Sequence, residues 1–436
     1  TDTWPQRALF TTKSCRFNDG SSDYLNKTFG TPTNEYKWTF STWVKRSNLG
    51  AGQIFAPRTD GNNTGVIGFN SSNALDIYDY RSAYNMRYIT NKLFRDVSAW
   101  YHIVVSSDST LSTPLTNIYI NGVQETSFST SNAFTQNQAN TFNRASVPHY
   151  VGQAGNGSEY FDGYMAETVF IDGQALAPTS FGVANSDGVW TPIPYTGTFG
   201  NNGFNLQFEN SAALGTDSSP NGNTFTVNNL TSIDQTTDYP VVNYATWNPL
   251  ASSSQVTLSE GNLKAVGQGT DDGNVFCNLV PKTGKWYAEF KITKQGDSIP
   301  TVGIRQESSG FRLLNGTSGA VGYYNYEASV RPDGQRYTNN STGSWGGSTF
   351  ATGSIVGIAL DCDNGAGYIS VNGTYMNSGN PTSGASKTGA FITWTEAQAQ
   401  YGGQTFGSRI YTTSSAVEAN FGSPSFAISS SNADGN

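Results

Sequence analysis

The sequence predicts an all-β protein made of two tandem antiparallel β-sandwich, or jelly-roll, domains. Three observations carry that reading. Strand-favouring aromatics are abundant, with 25 Phe, 23 Tyr and 9 Trp. Turn formers are abundant too, with 48 Gly and 16 Pro, while charged residues reach only 13% against a typical ~25%. Short apolar-polar alternations recur between Asn-Gly and Asp-Gly turns, which is the pattern of a sandwich or barrel.

Taken in order, the first clear strand is 36–45, YKWTFSTWVK. Tyr36, Trp38, Phe40, Thr42 and Val44 share one face, and Lys37, Thr39, Ser41 and Lys45 the other. That period of two predicts a half-buried strand. Trp43 breaks it by landing on the polar face. Either a loop or bulge covers it, or it is an exposed ligand platform. WYHIVV at 100–105 leads to NIYINGV at 117–123, where Asn121-Gly122 predicts a type I′ hairpin. The run 160–176, YFDGYMAETVFIDGQAL, reads as two strands around an Asp172-Gly173 turn. From 178 to 249 the text is irregular apart from a strand around Leu206 and Phe208. The prolines and serines of 239–254 read as a linker. The expected domains are therefore 1–245 and 255–436, joined by 246–254.

The second half repeats the alternation. In SIVGIALDCDNGAGYISVNGTYM, the residues Val356, Ile358, Leu360 and Cys362 share a face. Asp363-Asn364-Gly365 and Asn372-Gly373 turn the chain. TEAQAQ, near residue 397, is the one helical turn expected, and the SSSNADGN end reads as a frayed tail. No repeat of 20–50 residues appears, which argues against a solenoid.

Several classes are excluded by composition. The chain is too aromatic and too weakly charged to be disordered. No run approaches the ~18 apolar residues of a membrane helix, so no membrane insertion is expected. The opening TDTWPQRALF lacks the apolar core of a signal peptide, so none existed or it was removed. A net charge of −8 without a basic block argues against nucleic acid. Low charge on an Asn/Ser/Thr/Gly surface is common in extracellular or particle-bound proteins.

Two longer patterns resemble known families. WTFSTWVK, WYHIVV…NIYINGV and FDGYMAETVFIDGQAL, in that order over residues 9 to about 180, resemble the laminin-G-like, concanavalin-type jelly roll. From about 255 to 425 the chain resembles a SPRY (B30.2-type) domain. The residues that carry this are GKWYAEF (284–290), VGI (302–304), IVGIALDCDNG (355–365), YISVNG (368–373) and NFG (420–422). The resemblance implies partner binding, usually of protein, without catalysis. Tandem modules of this kind, with the bridge FGVANSDGVW…TFTVNNL, resemble virion proteins of tailed bacteriophages. That implies a fibre, spike or capsid-bound appendage on the virion surface, with other virion proteins as partners, a homo-oligomeric state and attachment to a host-surface glycan. A bacterial surface lectin or adhesin is the alternative, and a glycan depolymerase a third.

Catalytic motifs are sparse. A concanavalin-type hydrolase would carry Glu-x-Asp-x-x-Glu, and Glu167 to Asp172 has the wrong spacing. His102 and His149 are too few for a triad or zinc site, and His102 reads as structural within its strand. Cys15, Cys277 and Cys362 read as buried thiols; a Cys277–Cys362 bridge cannot be read from sequence. No enzymatic activity is expected. Aromatics that could stack on sugar rings are Tyr78, Tyr80 and Tyr84, then Tyr323, Tyr324 and Tyr326, and Trp345 in the loop GSWGG; core packing is the competing role. Trp345→Ala is expected to weaken binding without lowering the melting temperature. Asp217, Ser219, Asn221 and Asn223 alternate over 217–223 with Gly222 sixth, like the first half of a calcium loop. The segment also resembles one beside a structural calcium in laminin-G-like jelly rolls. A plain Asx turn is the competing reading.

Overall fold

A computed structural model of the chain describes residues 12–268, 272–295, 300–306, 320–324, 327–395, 403–411 and 415–426. Tyr326, the amino-terminal segment, the polar tail and, past Thr395, the expected helical turn lie outside these residues. The fold is all-β, and it divides into two compact units, Thr1–Asn243 and Tyr244–Asn436.

The first unit packs two eight-stranded antiparallel sheets face to face. One runs in the order Val123–Gln124, Leu115–Ile120, Trp100–Asp108, Lys37–Arg46, Gly163–Asp172, Ser14–Phe17 and Gln235–Thr236, with Phe204–Leu206 also paired to Gly163–Asp172. The other runs Phe128–Asn132, Tyr84–Leu93, Ala74–Arg81, Asn63–Phe69, Gly52–Asp60, Pro148–Val151, Tyr24–Thr28 and Thr226–Asn228. Trp38, Phe40 and Val44 enter the core between them, and Phe40 stacks on Phe55 with centroids 4.8 Å apart. Asn121 and Gly122 take φ of 49° and 79°, as a type I′ turn requires, and close a hairpin onto the two-residue edge strand Val123–Gln124.

Two sequence expectations change here. Lys37–Arg46 is buried on both faces, not one. Leu176, Phe181, Tyr195 and Phe199 pack over Val104, Val169 and Ile171, and Tyr239 and Trp190 join Trp43, Trp100, Tyr164 and Ala166. This roof covers the outer face of the first sheet, Trp43 included. The run 160–176 forms one strand rather than two: it ends at Asp172, whose carboxylate accepts the backbone N–H groups of Thr33, Asn34 and Asn202 and the Asn143 amide at 2.6–3.1 Å.

The second unit holds a seven-stranded and an eight-stranded sheet. Its core includes Trp247, Phe290, Val302, Ile304, Ile358 and Phe406. Part of the stretch expected as a linker, Trp247–Ser252, is an edge strand paired with Asp272–Cys277, and Trp247 is fully buried. Its register shifts between Trp247 and Ser252, so no alternation shows in the sequence. Pro249 is tolerated because an edge strand has one side without a ladder partner. The turns at 362–365 and at Asn372-Gly373 form between the strands they were expected to join. None of the three cysteines forms a disulfide; Cys15 and Cys277 are buried, and burial pushes the half-buried Cys362 thiol up to about 11.

Candidate functional site

The outer face of the second sheet in the first unit carries an aromatic platform. Along Ala74–Arg81, Leu75 and Ile77 enter the core, so Asp76, Tyr78 and Tyr80 point outward. Register places Tyr78 opposite Arg87 and Tyr80 opposite Tyr84. The Arg87 guanidinium donates two bonds to Asp76, Nε to Oδ1 at 3.2 Å and Nη2 to Oδ2 at 2.8 Å. It also lies 4.5 Å from the Tyr84 ring and 5.7 Å from that of Tyr78. Tyr84 meets Tyr78 and Tyr80 edge-on at 5.6 and 5.1 Å and stays 45% exposed. Burial, with the charges of Asp76 and Glu159, pushes the Tyr78 phenol up to about 12, so it remains a neutral donor. Tyr24 and Tyr150, whose neighbours Leu25 and Val151 enter the core, face outward on the same sheet with rings 6.1 Å apart. Tyr78 and Tyr80 were legible as candidates; Asp76 and Arg87, which fix the rings, were not singled out. The signal was there in the spacing across the turn at 81–84, which sets Arg87 beside Asp76 and Tyr78.

A second concavity lies within the second unit. Tyr244, Lys285, Trp286, Tyr287, Tyr375 and Phe421 help line a hollow of ≈ 450 Å³. Trp286 is 40% and Tyr287 37% exposed. Their polar ends are already engaged: the Trp286 indole N–H donates to the Thr283 carbonyl at 2.8 Å, and the Tyr287 hydroxyl to Glu289 at 3.1 Å. Sequence reasoning used GKWYAEF as a fold signature and missed this surface. The adjacent Trp and Tyr in a strand, of which only one can face inward, were the available signal.

Trp345 is not an open platform. It is half-buried, packs on the core beside Phe391 at 5.8 Å, and its indole N–H is held by the Gly334 carbonyl at 3.1 Å. Loop position alone overstated its exposure. Tyr323 and Tyr324 are half-buried and meet edge-on at 5.0 Å.

The groups at 217–223 make a closed turn. Asp217 Oδ1 accepts the backbone N–H of Asn205 and Ser219, both at 2.8 Å; Oδ2 accepts Ser219 Oγ at 2.8 Å and the Asn223 N–H at 2.5 Å. Asn221 and Asn223 turn their amide nitrogens toward backbone carbonyls, sharing that of Gly203. So arranged, the donor set does not fit a calcium ion, because four donors already occupy the only carboxylate.

Both histidines and one glutamate are displaced in proton affinity by burial. His102 lies under the roof, where burial pushes it down to about 3. Trp190 Nε1 donates to its Nδ1 at 2.8 Å, so Nε2 carries the proton and faces Ser41 Oγ at 2.9 Å. Burial pushes His149 down to about 4, with Phe29 stacked on it at 3.6 Å. Glu167 sits at the bulge between Ala166 and Val169 with φ of 47°; burial pushes it up to about 7, and the Tyr239 hydroxyl donates to it at 3.0 Å. Among the described residues, no three His, Cys, Asp or Glu side chains are grouped to hold a metal.

A family profile described as the "Concanavalin A-like lectin/glucanases superfamily" matches residues 19–179. Among solved structures, the chain is similar to a putative carbohydrate binding protein from Bacteroides ovatus (14% identity, TM-score 0.36, covering 50% of this chain and 59% of that one). It is also similar to the SPRY domain of human HERC1 (14% identity, TM-score 0.31, covering 40% of this chain and 96% of that one). A third is domain 4 of the arabinanase AbnA from Geobacillus stearothermophilus, in complex with arabinotriose (20% identity, TM-score 0.26, covering 33% and 64%).

Proposed function

We propose that this chain is a non-catalytic glycan-binding protein whose first unit holds sugar on the Tyr78–Tyr80–Tyr84 platform. One observation carries the reading: outward tyrosines fixed by a two-pronged Arg87–Asp76 pair on an open sheet. Ring faces stack on the C–H face of a pyranose, while phenol and charged edges bond its hydroxyls. The lectin-like profile over 19–179 supports the same chemistry. Absence of catalysis is supported by the duties of the most displaced groups, since Glu167 and His102 both serve the roof. A particle-borne setting belongs to the proposal: a bacteriophage fibre, spike or capsid appendage, its support being the resemblance of the 181–230 bridge to virion proteins.

The test is binding of the full chain to a glycan array and to host envelope, with Tyr84→Ala and Arg87→Ala beside it. Loss of at least about tenfold in affinity is the expected result for both, with the melting temperature unchanged in Tyr84→Ala. Undiminished binding by both variants would remove the platform from the function. Release of reducing sugar from the envelope would instead support the depolymerase reading, and absence of labelling on particles by antibody would remove the virion setting.

A further inference from the structure

We propose that the first unit closes a covalent cross-link on itself: an isopeptide bond between Lys45 Nζ and Asn243 Cγ, formed with Asp238 as the proton carrier. Lys45 is the one lysine among the buried described residues, and its ammonium donates to two side chains. Asp238 Oδ2 accepts at 2.8 Å and Asn243 Oδ1 at 2.7 Å. Local geometry explains why two residues five apart meet one lysine. Tyr239 and Val242 exchange both backbone hydrogen bonds, at 3.2 and 2.8 Å, so the chain doubles back and sets 238 beside 243.

Each group is held for reaction. Trp100 Nε1 donates to Asp238 Oδ1 at 3.0 Å, leaving Oδ2 for the lysine. The Ser98 carbonyl accepts from Asn243 Nδ2 at 2.7 Å and fixes the amide plane. The Tyr164 ring lies 5.5 Å from Nζ, in a cluster with Trp43, Trp100 and Tyr239. The Lys45 and Asp238 side chains are 1% and 2% exposed. An ammonium is no nucleophile until it loses a proton, and water exclusion favours that transfer to a carboxylate. Holding amine and acyl carbon together makes the attack effectively unimolecular. In the other lysine–carboxylate pairs among the described residues, Lys37–Asp108, Lys92–Glu125, Lys264–Glu418 and Lys285–Asp361, the lysine side chains are 32–58% exposed.

The step balances. The Lys45 ammonium gives one proton to Asp238, and the freed amine bonds to Asn243 Cγ. The Cγ–Nδ2 bond breaks as Asp238 hands its proton to the departing nitrogen and takes the second lysine proton, so one ammonia leaves and Asp238 remains protonated. No oxidant or cofactor is consumed.

Intact-mass spectrometry of the purified full chain tests this, followed by proteolysis and peptide sequencing. The expected mass is one ammonia below that of the sequence, with the peptides holding Lys45 and Asn243 joined, and the deficit absent in Asn243→Ala. Asn243 is exposed, so that variant is expected to keep the fold, checked by circular dichroism. A full sequence mass with both peptides separate overturns the proposal. So does an ammonia deficit that persists in Asn243→Ala and maps to succinimide at an Asn-Gly pair.

Discussion

The two eight-stranded sheets of the first unit pack against the same core yet treat their outer faces in opposite ways. On one, Trp43, Trp100, His102 and Lys45 are sealed under a roof, and the polar groups of Trp100, His102 and Lys45 are matched to partners distant in sequence. On the other, the ring contacts of Tyr78, Tyr80 and Tyr84 are made within one hairpin, and Tyr84 stays exposed while Tyr78 and Tyr80 are half-buried. Both faces are written in the same alphabet of aromatic and polar residues. What separates structural from ligand-facing aromatics is whether another segment of chain lies on top.

Asp238→Ala should have the largest effect on stability. It removes the carboxylate that neutralises the buried Lys45 ammonium and is expected to cost about 3–5 kcal/mol in denaturant unfolding. Glu167→Gln comes next. With a folded pKa of about 7 against an ordinary value near 4.5, native Glu167 holds its proton where the unfolded chain has lost it. Its contribution is therefore complete below about pH 4.5 and is lost as pH rises through 7. The amide mimics the protonated form, so the variant should match the parent at pH 4.5. At pH 8 it should be more stable, by on the order of 2–3 kcal/mol. The two histidines, pushed down by burial, act in the other direction, losing stability as pH falls from about 6.5 toward 3 in both proteins. Trp345→Ala, a half-covered case in the second unit, should cost about 2 kcal/mol in thermal unfolding, against the sequence expectation of none. Tyr84→Ala should change stability by no more than about 0.5 kcal/mol, since an open ring loses little packing. A large loss there would mean that the platform is structural after all.

Local signals were legible. Asn121-Gly122 and Asn372-Gly373 needed only two residues to announce their turns, and Trp38, Phe40 and Val44 announced an inner face by period alone. Burial of Lys45 was not legible, because it depends on Asp238, 193 residues away in sequence. Trp247–Ser252 read as a linker because a shifted register erases alternation, and edge position lets Pro249 in. At the site, tyrosine spacing was readable in Ala74–Arg81. Exposure was not, since nothing in Trp345 or Tyr84 taken alone says which one a neighbouring loop will cover.

The short strand Val123–Gln124 at one edge of the roofed sheet, with Gln235–Thr236 at the other, bears on how many copies can be crowded together. An unpaired strand edge is a template on which a second chain can add, and two residues give such a template almost no length. With a net charge of −8 opposing close approach, concentrated solutions should remain free of intermolecular β-ladders built on these two edges. A dense coat of this protein on a surface would then keep its units individually folded and separately available.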